Sequence, residues 1–160
     1  MQSIYNWASA QPSKTAVVYS GSAISYAMFA GAINATRSFM QAQKIPEGQT
    51  AIVVIRNLID GWVATMALRS LGLDTVSVSH TSQAQTLGIK NVACVVTTLA
   101  ERTEHEVDLN TWPNARAISI PTPTYGANES GDVAIVAQDG KQGAYYLHLW
   151  HHRQLQKALF

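Results

Sequence analysis

Short apolar runs, spaced by amphipathic stretches long enough to recross a sheet, restrict this chain to a layered α/β arrangement. The run 50–55 (TAIVVI) is apolar without alternation, the pattern of a strand buried on both faces. Residues 58–70 follow with Ile59, Trp62, Val63, Met66 and Ala67 at helical spacing. Gly72 stands where a left-handed residue stops a helix. Further strands are expected at 75–78, 93–98 (ACVVTT), 117–120 and 133–137 (VAIVA), with a short helix at 83–88. Parallel strands need crossover connections, and those connections cover the sheet. The expectation is an α/β fold: one domain over 1–160, a mostly parallel sheet with helices on both faces.

Ahead of this unit, 3–11 reads as a helix closed by Pro12, and 15–19 with 23–25 as a small hairpin about Gly21. Ser25 suits an N-cap, because its hydroxyl can accept from backbone N–H groups of the next turn. The helix it opens, 26–44, carries Phe29, Ile33 and Met40 on its apolar face and ends at Pro46 and Gly48. Trp7, Phe29 and Trp62 fall on apolar helix faces and are expected in the core. Residues 145–150 read as an extended return, and 152–160 as the start of a helix. The apolar pair Leu159 and Phe160 suggests a truncated chain or a helix end that docks.

Charge narrows the function classes. Only 13% of the 160 residues are charged, against roughly 25% in soluble domains. Part of the surface is therefore expected to meet something other than water: downstream sequence, a partner subunit, or both. The net charge of +1 comes from scattered Lys and Arg, without the clustered basic surface that nucleic acid requires. No apolar run approaches a membrane span, and residues 1–14 lack the pattern of a secretory signal. A cytoplasmic location is expected. Cys94 has no second cysteine to pair with and reads as a small buried side chain.

Familiar catalytic patterns are absent. There is no C-x-x-C, no G-x-S-x-G elbow, no G-x-G-x-x-G and no Walker lysine turn. His148 and His152 would share a helix face at the spacing of two zinc ligands, with His151 beside them. No carboxylate lies nearby to complete such a site, so no metal is expected. His105, between Glu104 and Glu106 in the most charged stretch (101–109), reads as solvated.

Two stretches carry a resemblance. From Ser25-Tyr26 the order is a long helix, the turn Ile45-Pro46-Glu47-Gly48-Gln49, an apolar strand 51–55 with Asn57, and an Ala/Leu-rich helix closed at Gly72. This resembles the opening of AMP-forming acyl-CoA synthetases and their adenylating relatives. The turn departs from that pattern twice: Lys44 or its neighbour stands for the first glycine, and Gln49 for the acidic residue. The second stretch, 132–155, can be laid without a gap on the family's phosphate loop. Asp132 and Ala134 then fall on the strand lead-in, Gly140 and Gly143 on loop glycines, and His152 on the histidine that follows. Gly140, Lys141 and Gly143 are thus the candidate cofactor-binding residues.

That loop is degenerate. Asp139, Lys141 and Gln142 stand where hydroxyls would bind phosphate, Tyr145 at the proline and Tyr146 at the lysine. A carboxylate at Asp139 repels each phosphate charge by about 4 kcal/mol at about 4 Å and an effective dielectric near 20. The resemblance implies ATP-dependent activation of a carboxylic acid to an acyl-adenylate, then transfer to coenzyme A, in a longer chain. ATP, Mg and coenzyme A are implied for the full-length enzyme and none for this chain, where no catalytic residue is expected. The partner would be the remainder of a longer chain or another copy. The alternatives are a non-catalytic relative acting as a dimerisation or interaction module, and an unrelated flavodoxin-like domain whose helices follow the same packing rules.

Overall fold

A computed structural model describes residues 2–102, 107, 109–125, 145–148 and 155–158, the last two stretches as backbone strands. The expected strand 133–137 and the loop residues Gly140, Lys141 and Gly143 lie outside the described residues, as do His105, His151 and His152.

The front of the chain folds as read. Helix α1 (Gln2–Ala10) precedes a hairpin of β1 (Thr15–Tyr19) and β2 (Ser22–Ser25), which turns through Gly21 at φ +79°. Ser25 then caps α2 (Tyr26–Ala42), its hydroxyl accepting from the Met28 N–H at 3.3 Å. The apolar side of α2, including Phe29, Ile33 and Met40, is buried.

Strand β3 (Thr50–Val53) leads into α3 (Leu58–Ser70), and Gly72 at φ +77° releases the chain into β4 (Asp74–Ser77). Helix α4 (Thr81–Thr86) crosses to β5 (Val92–Thr98), all seven of whose residues are buried. A short helix, α5 (Leu99–Arg102), follows, and then β6 (Arg116–Ile120), β7 (Tyr145–His148) and β8 (Leu155–Ala158).

The sheet runs β6-β5-β3-β4-β7-β8, parallel throughout except for the antiparallel β7–β8 pair at one edge. Alternation along β3 divides the core. Ala51 and Val53 pack under α2 and α3 with Met40, Ala64 and Leu68. Ile52 and Val54 pack on the other face with Ala84 of α4 and with Trp112. The expected α/β class, with helices on both faces, is the observed one.

Three expectations are corrected. Residues 155–158 pair with β7 as a strand, where a helix start was expected. His148 lies in β7, so it shares no helical face with position 152. Trp7 and Trp62, expected in the core, are 39% and 45% exposed, whereas Phe29 is buried. Trp7 instead lies flat near Tyr26, with the Lys14 ammonium 4.1 Å from its ring centre, an arrangement open to solvent.

Thr75 is a local conflict within this packing. It sits opposite Ala51 in the ladder, fully buried, and its hydroxyl has no hydrogen-bond partner. An unsatisfied buried polar group costs about 1–3 kcal/mol. Thr75→Val keeps the branched shape and removes that cost, so it is expected to raise stability by about 1 kcal/mol. A urea midpoint unchanged or lowered in the variant would show that the hydroxyl is satisfied in solution.

Candidate functional site

Ligands of open α/β sheets bind beyond the carboxyl ends of the strands, where successive connections diverge. In this sheet the divergence lies between β3 and β5: β3 continues to β4 on one side, and β5 to β6 on the other. The residues at that point are the 55–60 turn, Thr98 to Glu101, and the segment 121–125 that leaves β6.

Two backbone N–H groups at this point are met by the chain's own carboxylate. Both Glu101 oxygens accept from the Arg56 N–H, at 3.1 and 3.0 Å, and one accepts from the Asn57 N–H at 3.3 Å. The Thr98 hydroxyl accepts from the Glu101 N–H at 3.2 Å and so aims α5 toward the turn. Asn57 caps α3, its side-chain oxygen accepting from the N–H groups of Ile59 and Asp60 at 3.0 and 3.2 Å. Backbone N–H groups ahead of a helix would suit an anion. Here Glu101 is that anion.

One turn into α3, Asp60 is buried, and its Oδ1 accepts a 2.6 Å hydrogen bond from the Tyr125 hydroxyl. Burial raises the Asp60 pKa above the usual carboxylate range; the Tyr125 bond lowers it and nearby Glu101 raises it again. Burial, with Asp60 close by, pushes the Tyr125 phenol upward, so it remains a hydrogen-bond donor. Tyr125 also packs on the cluster holding Phe29, Ile59 and Val63, which ties the segment after β6 to α3. Sequence reasoning missed Asp60, Glu101 and Tyr125 as a group. Its only local signal was Asn57-x-x-Asp60 at a helix start, a pattern that caps also produce.

A groove of about 740 Å³ opens between the hairpin, α2 and residues 121–124. Ala27, Gly31 and Ala35 of α2 are among its lining, and no ionisable side chain is among its described lining residues. Among the described residues no group of three or more His, Cys, Asp or Glu is placed to hold a metal ion. Cys94 is buried within β5, where loss of solvation pushes its thiol up to about 12, far from a reactive thiolate. No described helix is long and apolar enough to cross a membrane.

No family model matches the chain, and no curated protein matches its sequence. Solved structures do share its fold. One is the nonribosomal peptide synthetase FmoA3 in a form bound to α-methyl-L-serine-AMP, with a TM-score of 0.65 and 15% identity. It is matched over 91% of this chain and 16% of its own. The O-succinylbenzoate coenzyme A synthetase MenE from Bacillus subtilis, in complex with AMP, gives a TM-score of 0.62 at 17% identity. That match covers 96% of this chain and 40% of MenE. An artificially fused adenylation–PCP di-domain from Klebsiella oxytoca, NpsA-ThdA, gives 0.58 at 15% identity, over 72% of this chain and 21% of its own. The chain therefore has the fold of part of an adenylate-forming enzyme, and it spans between 16% and 40% of the length of these structures.

Proposed function

We propose that this chain is the N-terminal scaffold portion of an AMP-forming acid–CoA ligase or a related adenylating enzyme, and that it does not catalyse the reaction alone. In such an enzyme a carboxylate attacks the α-phosphate of ATP, giving acyl-adenylate and pyrophosphate; the acyl group then passes to a thiol with release of AMP. The observation that carries the reading is the fold shared with parts of FmoA3 and MenE, and the divergence of β3 and β5 bears on its second half. Backbone donors there are already taken by Glu101, and the carboxyl of Asp60 lies nearby. Neither arrangement favours a polyphosphate. The degenerate loop expected at Gly140, Lys141 and Gly143 supports the same reading from sequence.

The isolated chain, incubated with ATP–Mg and a panel of carboxylic acids, is expected to release no pyrophosphate. Turnover by the isolated chain would overturn the proposal. A cytoplasmic location is part of it.

A second reading, a non-catalytic assembly module, is favoured by the uncharged groove and by the exposed side chains Leu58, Trp62 and Leu99. Leu58 and Trp62 stand one turn apart on α3, a spacing that places both on one helix face for a partner to cover. A concentration-dependent dimer in sedimentation would favour this reading over the first.

A further inference from the structure

The opposite rim of the sheet holds a second cavity, of about 550 Å³, at the amino ends of β3, β5 and β6. Lys44, Gln49, Asn91, Trp112, Asn114 and Arg116 are among its lining, and its described lining contains no carboxylate. We propose that this cavity binds a small multivalent phosphate-bearing anion, with Lys44 and Arg116 as the charged contacts. The proposal is independent of the adenylation reading, because it concerns the rim away from the divergence of β3 and β5.

The frame of the cavity is fixed. Trp112 is buried and donates its indole N–H to the Ile89 carbonyl at 2.8 Å. Asn91 donates from its side chain to the Gly48 carbonyl at 3.2 Å, holding the 45–49 turn against the start of β5. Arg116 donates to the carbonyl of Gln43, the C-cap of α2. That bond uses one of the five N–H donors of a guanidinium. Side-chain amides of Gln49, Asn91 and Asn114 add neutral donors around the two cations.

Lys44 is the more telling residue. It has φ +52°, the left-handed conformation that glycine adopts at a helix end without steric cost. Asn91, on the same cavity, is also left-handed at φ +56°. A lysine thus stands where the backbone would be better served by glycine. Lys44 and Gln49 of this turn both line the cavity, and neither opposes an anion. A lysine past a helix C-terminus can also serve only to offset the helix dipole, and the test separates the two roles.

Lys44→Gly relieves the backbone, so it is expected to raise the thermal midpoint, and it removes a cation from the cavity. Calorimetric titration with inorganic pyrophosphate, and in parallel with AMP, is expected to show saturable binding to the wild type. Lys44→Gly is expected to weaken that binding by roughly tenfold or more, the worth of one charge-assisted contact. Arg116→Gln is expected to weaken it similarly. Tighter pyrophosphate than AMP identifies an inorganic or terminal diphosphate ligand; the reverse order identifies a nucleoside monophosphate. Three results would each overturn the proposal: no saturable binding to the wild type, Lys44→Gly binding as tightly as wild type, or complete loss of binding in sodium chloride at matched ionic strength.

Discussion

Phe29→Ala is expected to lower the unfolding free energy by about 3–5 kcal/mol, the range for truncating a buried aromatic side chain. Phe29 is 2% exposed and lies where α1, α2 and α3 meet, in a cluster with Tyr5, Ile33, Ile59, Val63 and Ala67. Its ring centre is 5.3 Å from that of Trp62, tilted by 59°, within the range of favourable aromatic pairs. Removing the ring therefore leaves a void and strips the inner side of an already exposed Trp62. Domains are stable by only about 5–15 kcal/mol, so the variant would sit near the folding threshold. Urea unfolding checks this: the midpoint should fall sharply with the slope unchanged. A loss below about 1.5 kcal/mol would mean that the three helices do not converge on Phe29.

The sequence made this junction legible through local rules. Ser25 was readable as a cap because hydroxyl-capped helix starts have a short-range cause, and the structure shows the Ser25–Met28 bond. Residues 50–55 were readable as a buried strand because an uninterrupted apolar run has few other soluble homes. Gly72 was readable as a helix stop because the left-handed conformation favours glycine.

Where the reading failed, the deciding contact was remote. Residues 155–158 (LQKA) carry no local preference for a strand, and pairing with β7 determines their state. Helix α3 is apolar on more than one side, so spacing could not say that Trp62 would be left 45% exposed while Val63 is fully buried. The site was hidden for the same reason. Glu101 reaches the Asn57 N–H across 44 residues, and Tyr125 reaches Asp60 across 65. Composition and spacing do not encode such pairs; the order of strands in the sheet creates them.

Tyr125→Phe is expected to destabilise the chain by about 1.5–3 kcal/mol at neutral pH, the worth of a hydrogen bond to a charged group. The loss should shrink in acid. The ring stays, so the packing of residue 125 against the α1–α2–α3 cluster is preserved and only the hydroxyl is lost. Asp60 has a raised pKa in the folded chain, chiefly from burial. Its contribution to stability is therefore fully present below the ordinary carboxylate range and is lost as pH rises through the raised value. The Tyr125 bond works against that rise by favouring the ionised carboxylate. Without it the folded-state pKa climbs further, and stability keeps falling to a higher pH than in the wild type. Asp60→Asn removes the titration and should flatten this part of the profile. Unfolding free energies measured from about pH 3 to about pH 8 for the three proteins decide the matter. Curves for wild type and Tyr125→Phe that stay parallel across the range would show that the phenol does not hold the Asp60 carboxylate, and the tie between the segment after β6 and α3 would then rest on ring packing alone.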